Sequence, residues 1–271
     1  MPHELLEPNT PAPDRDLTDV PRWSRRSFLI AGASALLPPL MAGCDSTAPE
    51  PLSGRRRLTA RPGTPSLAAP IGESILGLGS DRDGLLFVPT SYDPATPIPL
   101  YIFLHGATGD AESGRFFSYL ANDQAAIVLI PESRGVTWDL IMCRFGPDVD
   151  FVDQALQHVF DRCAVDPGRI ALAGHSDGGT YALSLGLSNG DLFTHVVGHS
   201  PGGMDRNQLV GLPEVFVSHG TSDAVLPVTI SRDDVVPSLQ SLGYTVEYLE
   251  YPGGHGLPAE VAESAADWFL A

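Results

Sequence analysis

The chain has 271 residues, 43% of them hydrophobic, which is enough for one sizeable core. Its formal net charge is −17, from 33 acidic residues against 16 basic ones, and every basic residue is an arginine. That balance argues against a nucleic-acid partner and against electrostatic docking on anionic lipid, since both present phosphate to the protein.

Residues 1–22 are rich in proline and acid, show no apolar period, and read as disordered. Arg25 and Arg26 then precede an apolar run, residues 28–41, that is too short and too broken by Pro38 and Pro39 to span a membrane. Paired arginines before such a run fit a twin-arginine export signal; the rival reading is a basic turn ahead of a core helix. The run ends in Leu40-Met41-Ala42-Gly43-Cys44, which resembles a bacterial lipobox and makes Cys44 the expected site of lipidation. Met41 stands where leucine is more usual, so cleavage nearby without lipid stays open. Residues 45–72 read as a flexible linker of proline, serine, threonine and alanine, with a basic knot at Arg55, Arg56 and Arg57. The expected organisation is a signal segment over 1–44, the linker over 45–72 and a folded domain over 73–271. The expected location is the cell surface or periplasm, with lipid anchoring through Cys44. If Cys44 carries lipid, Cys143 and Cys163 remain, as a disulfide or as two buried thiols.

Within the domain, residues 74–79 and 85–88 flank a polar turn and predict a hairpin. Residues 100–104 form an apolar strand that runs into His105-Gly106-Ala107-Thr108-Gly109. A helix over 111–122 and a strand over 126–130 follow, then an irregular stretch, 132–147, with Trp138, Cys143 and Phe145. Phe151, Ala155, Leu156, Val159 and Phe160 have helical spacing within 150–162. Residues 170–173 are apolar throughout, as a strand covered on both faces requires. Strands are expected at 195–198, 214–218 and 245–251, with helices over 231–242 and 259–270. Strand and helix alternate without an internal repeat. This calls for an α/β fold, a mostly parallel sheet with helices on both faces.

Between strand 170–173 and its helix stands Gly174-His175-Ser176-Asp177-Gly178, a G-x-S-x-G turn. Glycines flank the serine because so sharp a turn leaves no room for a Cβ. The following helix points its first N–H groups toward the serine. A serine hydroxyl needs a base to become nucleophilic, and the base needs an acid to hold its tautomer. Both follow in order: Asp223 after strand 214–218, and His255 in the glycine-rich turn after the last strand. The expected triad is Ser176, Asp223 and His255.

Rival residues are given structural roles. His219 precedes the acid and is expected to organise its turn by hydrogen bonding. Asp233 and Asp234 sit at a helix start, where carboxylates cap, and Glu250 is expected to face solvent. Gly198-His199-Ser200-Pro201-Gly202 is a second G-x-S-x-G. An oxyanion hole draws on the N–H of the residue after the nucleophile; Asp177 has one and Pro201 has none, so Ser200 reads as part of a structural turn. The second oxyanion donor is expected to be the Ala107 N–H. His105 and Trp138 are candidates for the substrate pocket, with Trp138 and Phe145 equally readable as core. No metal site is expected.

The segments LHGATGD, DFVDQALQHVFDRCAVDPGRIALAGHSDGG, HGTSDAVLP and YPGGHG together resemble the α/β-hydrolase serine esterases of the polyhydroxybutyrate depolymerase, feruloyl esterase and dienelactone hydrolase type, over residues 84–271. The resemblance implies an α/β-hydrolase fold and hydrolysis of a small-molecule or polymeric carboxylic ester through an acyl-serine, without a cofactor. Two departures stand out. Asp177 occupies a position where a small residue is common, and residues 132–139 are closer to carboxylesterase relatives. Where a cap domain is often inserted, residues 200–213 allow only a loop, so the site is expected to be open. A peptidase or acyltransferase on the same triad, and a surface-anchored binding lipoprotein that kept the fold, remain as alternatives.

Overall fold

The apolar runs of the domain assemble into one eight-stranded sheet. The computed structural model describes residues 57–79, 81–142 and 145–271. The expected export signal, with Arg25, Arg26 and Cys44, lies outside the described residues, as do 45–56 and Cys143. No helix among the described residues is long and apolar enough to cross a membrane.

The strands are β1 (Gly72–Ile75), β2 (Gly84–Val88), β3 (Ile98–Leu104), β4 (Ile127–Pro131), β5 (Val165–His175), β6 (His195–His199), β7 (Glu214–Gly220) and β8 (Val246–Tyr251). Their order across the sheet is β1-β2-β4-β3-β5-β6-β7-β8. β1 and β2 form the expected hairpin and β2 pairs antiparallel with β4, while every pairing from β4 to β8 is parallel. The chain steps from β3 outward to β4 and then back to β5 on the other side. In an open parallel sheet, a crevice forms where the winding reverses in this way, beyond the carboxyl ends of the two strands. His105 follows β3 and Ser176 follows β5, so the topology itself brings the two motifs together.

Side chains alternate across β3 and divide the core in two. Leu100, Ile102 and Leu104 face one side, packed with α3 (Pro147–Phe160), α4 (Asp177–Leu187) and α5 (Val236–Ser241). Tyr101 and Phe103 face the other, under a 3-10 helix (Ala111–Ser118) that runs into α1 (Tyr119–Asp123), and under α6 (Ala259–Leu270). A four-residue α2 (Asp139–Met142) interrupts the stretch expected to be irregular. The helix expected over 231–242 opens as a π-helical turn, Ile230–Val235, before α5.

The linker expectation fails from residue 57 onward. Leu58 and Ala60 are 2% and 1% exposed and belong to the core. Thr59 N–H and Ala60 N–H donate to Asp153 Oδ1 at 2.7 and 2.8 Å, and Leu58 N–H donates to Asn189 Oδ1 at 2.9 Å. Arg57 and Arg61 both pair with Asp191, at 2.6 and 2.8 Å. This strap forms because a carboxylate on α3, nearly buried, needs donors that its own helix cannot supply. Cys163 is a free buried thiol, and burial pushes its pKa up to about 11.

Between β6 and β7 the chain lies along α4 rather than over the sheet's carboxyl edge. Gly202 N–H donates to Thr180 Oγ1 at 2.8 Å and Asp205 N–H to Ser184 Oγ at 2.9 Å.

Candidate active site

The turn from β5 into α4 is tight enough to dictate its residues. A Cβ on Gly174 would stand 2.2 Å from the Gly178 carbonyl oxygen, and one on Gly178 would stand 2.2 Å from the Leu104 carbonyl oxygen. Ser176 itself adopts φ 59° and ψ −117°. A non-glycine residue held there costs on the order of 1–3 kcal/mol and persists only when its surroundings enforce it. They do: Ser176 N–H donates to the His199 carbonyl at 2.8 Å, and its own carbonyl accepts from Thr180 N–H at 3.0 Å. The hydroxyl is thereby raised above the sheet at the N-terminus of α4.

Two loops bring the other polar groups to it. His255 Nε2 lies 2.7 Å from Ser176 Oγ, and His255 Nδ1 lies 2.7 Å from Asp223 Oδ2. The acid is buried, and its other oxygen accepts from the N–H groups of Val225 and Leu226, both at 2.8 Å. Burial pushes the Asp223 carboxyl up, but the hydrogen bonds from His255, Leu226 and Val225 outweigh it and hold the group below the usual carboxylate range. The two loops lock at Gly220, where a Cβ would meet the Gly254 carbonyl oxygen at 2.2 Å. Ser176, Asp223 and His255 are therefore joined in one hydrogen-bonded line.

His219 lies in the acid turn, as expected, with Nδ1 2.7 Å from Ser231 Oγ and Nε2 2.8 Å from the Leu226 carbonyl. It also approaches Asp223 Oδ2, at 3.3 Å. Ser200 too has a positive φ, 44°, but it is fully buried, and its N–H donates to the Ser218 carbonyl at 2.7 Å. His255 bonds to Ser176 and not to Ser200. Asp234 pairs with Arg206 at 2.6 Å. Glu250 is not simply solvent-facing: it accepts from Arg232 Nε and from Tyr248 Oη, at 2.7 and 2.9 Å.

A cleft of about 430 Å³ opens at Ser176 and His255, walled by the turn from Gly106 to Gly109, by His175 and by Val225. A smaller lobe of about 220 Å³ adjoins it, with Phe103, Phe116 and Leu257 as its apolar walls. Gly106 lies beside Ser176: a Cβ there would be in ordinary contact with Ser176 Cβ, at 3.5 Å. No described hydrogen bond engages the N–H of Ala107 or of Asp177; Ala107 borders the cleft, and Asp177 follows Ser176 as the first residue of α4.

Trp138 does not form the pocket surface expected of it, whereas His105 lines the smaller lobe. Both are fully buried. Trp138 Nε1–H donates to the His105 carbonyl at 2.9 Å, and the indole stacks on Tyr181 with ring centroids 5.0 Å apart. Phe145 packs on the same tyrosine at 5.4 Å and is core. The His105 ring accepts from Ser133 N–H at Nε2, 3.1 Å, and reaches the Gly106 carbonyl from Nδ1 at 2.7 Å. That pattern requires the neutral ring with its proton on Nδ1, in keeping with burial, which lowers its pKa. An amphipathic side chain can serve as lining or as core, and here the His105 carbonyl drew the Trp138 indole inward. Among the described residues, no group of three or more His, Cys, Asp or Glu side chains is placed to hold a metal ion.

Residues 76–216, more than half of the chain, match the family described as "Putative esterase". The chain belongs to this esterase family. It is 28% identical to Feruloyl esterase D of Neurospora crassa over 172 residues, covering 57% of each chain. It is 24% identical to Feruloyl esterase C of Emericella nidulans over 226 residues, covering 68% of this chain and 80% of that one. Among solved structures, a thermostable esterase superposes with a TM-score of 0.60 at 23% identity, covering 69% of this chain and 58% of that one. The chain thus spans little more than half the length of the Neurospora relative. The shared architecture is the α/β-hydrolase fold of esterases, a mostly parallel sheet with helices on both faces.

Proposed function

We propose that this member of the esterase family is a serine carboxylesterase with Ser176, His255 and Asp223 as its catalytic residues. The observation that carries the reading is the unbroken line from Ser176 Oγ through His255 to Asp223, with both contacts at 2.7 Å. Ser176 Oγ attacks the ester carbonyl carbon while its proton passes to His255 Nε2. Asp223 keeps the Nδ1 proton in place and stabilises the imidazolium that forms. The carbonyl oxygen becomes an oxyanion facing the N–H groups of Ala107 and Asp177, with the α4 N-terminus behind them. Collapse of the intermediate expels the alcohol, which takes the proton from His255. Water, deprotonated by the same histidine, then cleaves the acyl-serine and frees the acid.

The expected test is Ser176→Ala, which abolishes p-nitrophenyl acetate hydrolysis and fluorophosphonate labelling while the far-UV circular dichroism is unchanged. Activity that survives this change, or that is lost only with Ser200→Ala, overturns the assignment.

The uncapped cleft and the feruloyl esterase relatives favour esters of aromatic acids or of exposed polymer side groups as substrates. Export by the twin-arginine route and lipidation at Cys44 complete the proposal, supported by Arg25-Arg26, the short apolar run and the lipobox-like Leu40–Cys44 sequence. Retention of Arg25→Lys/Arg26→Lys protein inside the cell, and release of Cys44→Ala protein from the membrane fraction, are the expected results.

A further inference from the structure

Three consecutive residues between β4 and α2, Val136 to Trp138, join the turn that carries Ser176 to the turn after β3. Thr137 Oγ1 and Trp138 N–H donate to Asp177 Oδ2, the latter at 2.9 Å. Asp177 is the residue after Ser176, and its N–H is one of the two oxyanion donors proposed above. Val136 and Trp138 also hold the turn after β3. The Val136 carbonyl accepts from Thr108 N–H at 2.6 Å, and Trp138 Nε1–H donates to the His105 carbonyl at 2.9 Å. Ala107, the other proposed donor, lies between those two anchored residues.

The carboxyl is a costly way to make this link. Asp177 is 4% exposed, its Oδ1 is buried without a hydrogen-bond partner, and burial pushes its pKa up to about 6. An orphaned buried oxygen destabilises a fold, and the small residue common at this position would avoid it. Local rules broken without structural gain are expected at functional sites. The gain available here is geometric. Oxyanion donors act only when held about 2.7–3.1 Å from the developing charge, and a misplacement of about 1 Å can cost about a hundredfold in rate.

We propose that Asp177 is a positioning residue that, through Thr137 and Trp138, fixes the Ala107 wall of the oxyanion hole relative to its own N–H. The inference rests on the serine-esterase reading. It is tested by steady-state kinetics on p-nitrophenyl acetate together with inhibition by a trifluoromethyl ketone, whose serine adduct places an oxyanion in the hole. Asp177→Ala is expected to lower kcat at least about tenfold with KM changed less than about threefold, and to weaken the ketone in proportion to kcat/KM. Asp177→Asn keeps an acceptor for Thr137 and Trp138 and recovers most of the rate. Thr137→Val and Trp138→Phe, which each remove one link, show smaller losses of the same kind, and they decide the matter if Asp177→Ala does not fold. Folded variants with kcat within about twofold of wild type, or a loss of kcat that leaves ketone inhibition unchanged, overturn the proposal. A wild-type protein that neither hydrolyses the ester nor labels with fluorophosphonate overturns the esterase reading instead, before any variant is compared.

Discussion

His175 Nε2 lies 2.7 Å from the carbonyl oxygen of His255, so the residue before Ser176 holds the loop that carries His255, the proposed base. A carbonyl accepts, so Nε2 must carry a proton. Burial lowers the His175 pKa and keeps the ring neutral with that tautomer fixed. Replacing His175 by alanine frees the His255 turn, and kcat is expected to fall about tenfold with little change in KM. His175→Gln can donate to the same oxygen and should stay within about threefold of wild type. Stopped-flow acylation rates for the two variants distinguish a loosened base from a damaged pocket.

Asp223→Asn offers an N–H where His255 Nδ1 needs an acceptor, and so favours the wrong imidazole tautomer. By the behaviour of other Ser-His-Asp sites, kcat should fall by about 10³–10⁴ with the fold intact. The two backbone N–H groups on Oδ1 hold the asparagine in place, so the melting temperature should hardly move. A loss smaller than about tenfold would show that the acid is elsewhere.

The strap before β1 is part of the fold. Leu58→Ala removes a side chain that is 2% exposed and should cost about 2–4 kcal/mol in a urea titration. Asp153→Ala withdraws the acceptor from three donors of Thr59 and Ala60 and should destabilise by a comparable amount. Protein that begins at residue 73 is expected to aggregate, because it uncovers the apolar surface that Leu58 and Ala60 occupy.

Buried His199 makes the fold acid-sensitive in a defined window. Burial lowers its pKa to about 3, while the unfolded chain titrates near 6.5. Below pH 6.5 the unfolded state binds the proton that the folded state refuses, so stability falls as pH falls toward 3. Between pH 6.5 and 5 the loss attributable to this residue is about 2 kcal/mol. His199→Asn, which preserves a partner for Ser218 Oγ, removes that slope. Its stability relative to wild type should rise steadily on acidification, read from melting temperatures at each pH.

The sheet was legible because its strands are apolar at nearly every position, and the proposed triad because its three members follow β5, β7 and β8 in a fixed order. Ser176 could be preferred to Ser200 on a single atom, the N–H that Pro201 lacks. The strap was not legible: Leu58 and Ala60 are two apolar residues in a proline-rich stretch, and their partners lie at residues 153 and 189. The burial of Trp138 was equally hidden, since its N–H partner is a backbone oxygen 33 residues earlier. Asp177 was visible as a departure, but its purpose depends on Thr137 and Trp138, which only folding brings beside it. The 3-10 and π-helical turns reflect how 111–118 and 230–235 pack, which spacing does not encode.

The course of α4 sets the distance between Ser176 and the strap. Ser176 stands at its first turn, and the helix carries the chain about 17 Å away to Ser188, whose carbonyl accepts from Arg57 at 2.7 Å. The first described residues, 57 and 58, therefore lie at the end of α4 remote from Ser176. Residues 44 to 57 can bridge at most about 45 Å. The lipid proposed on Cys44 would thus attach the domain at the end of α4 remote from Ser176, and the tether would leave the domain free to turn within that reach.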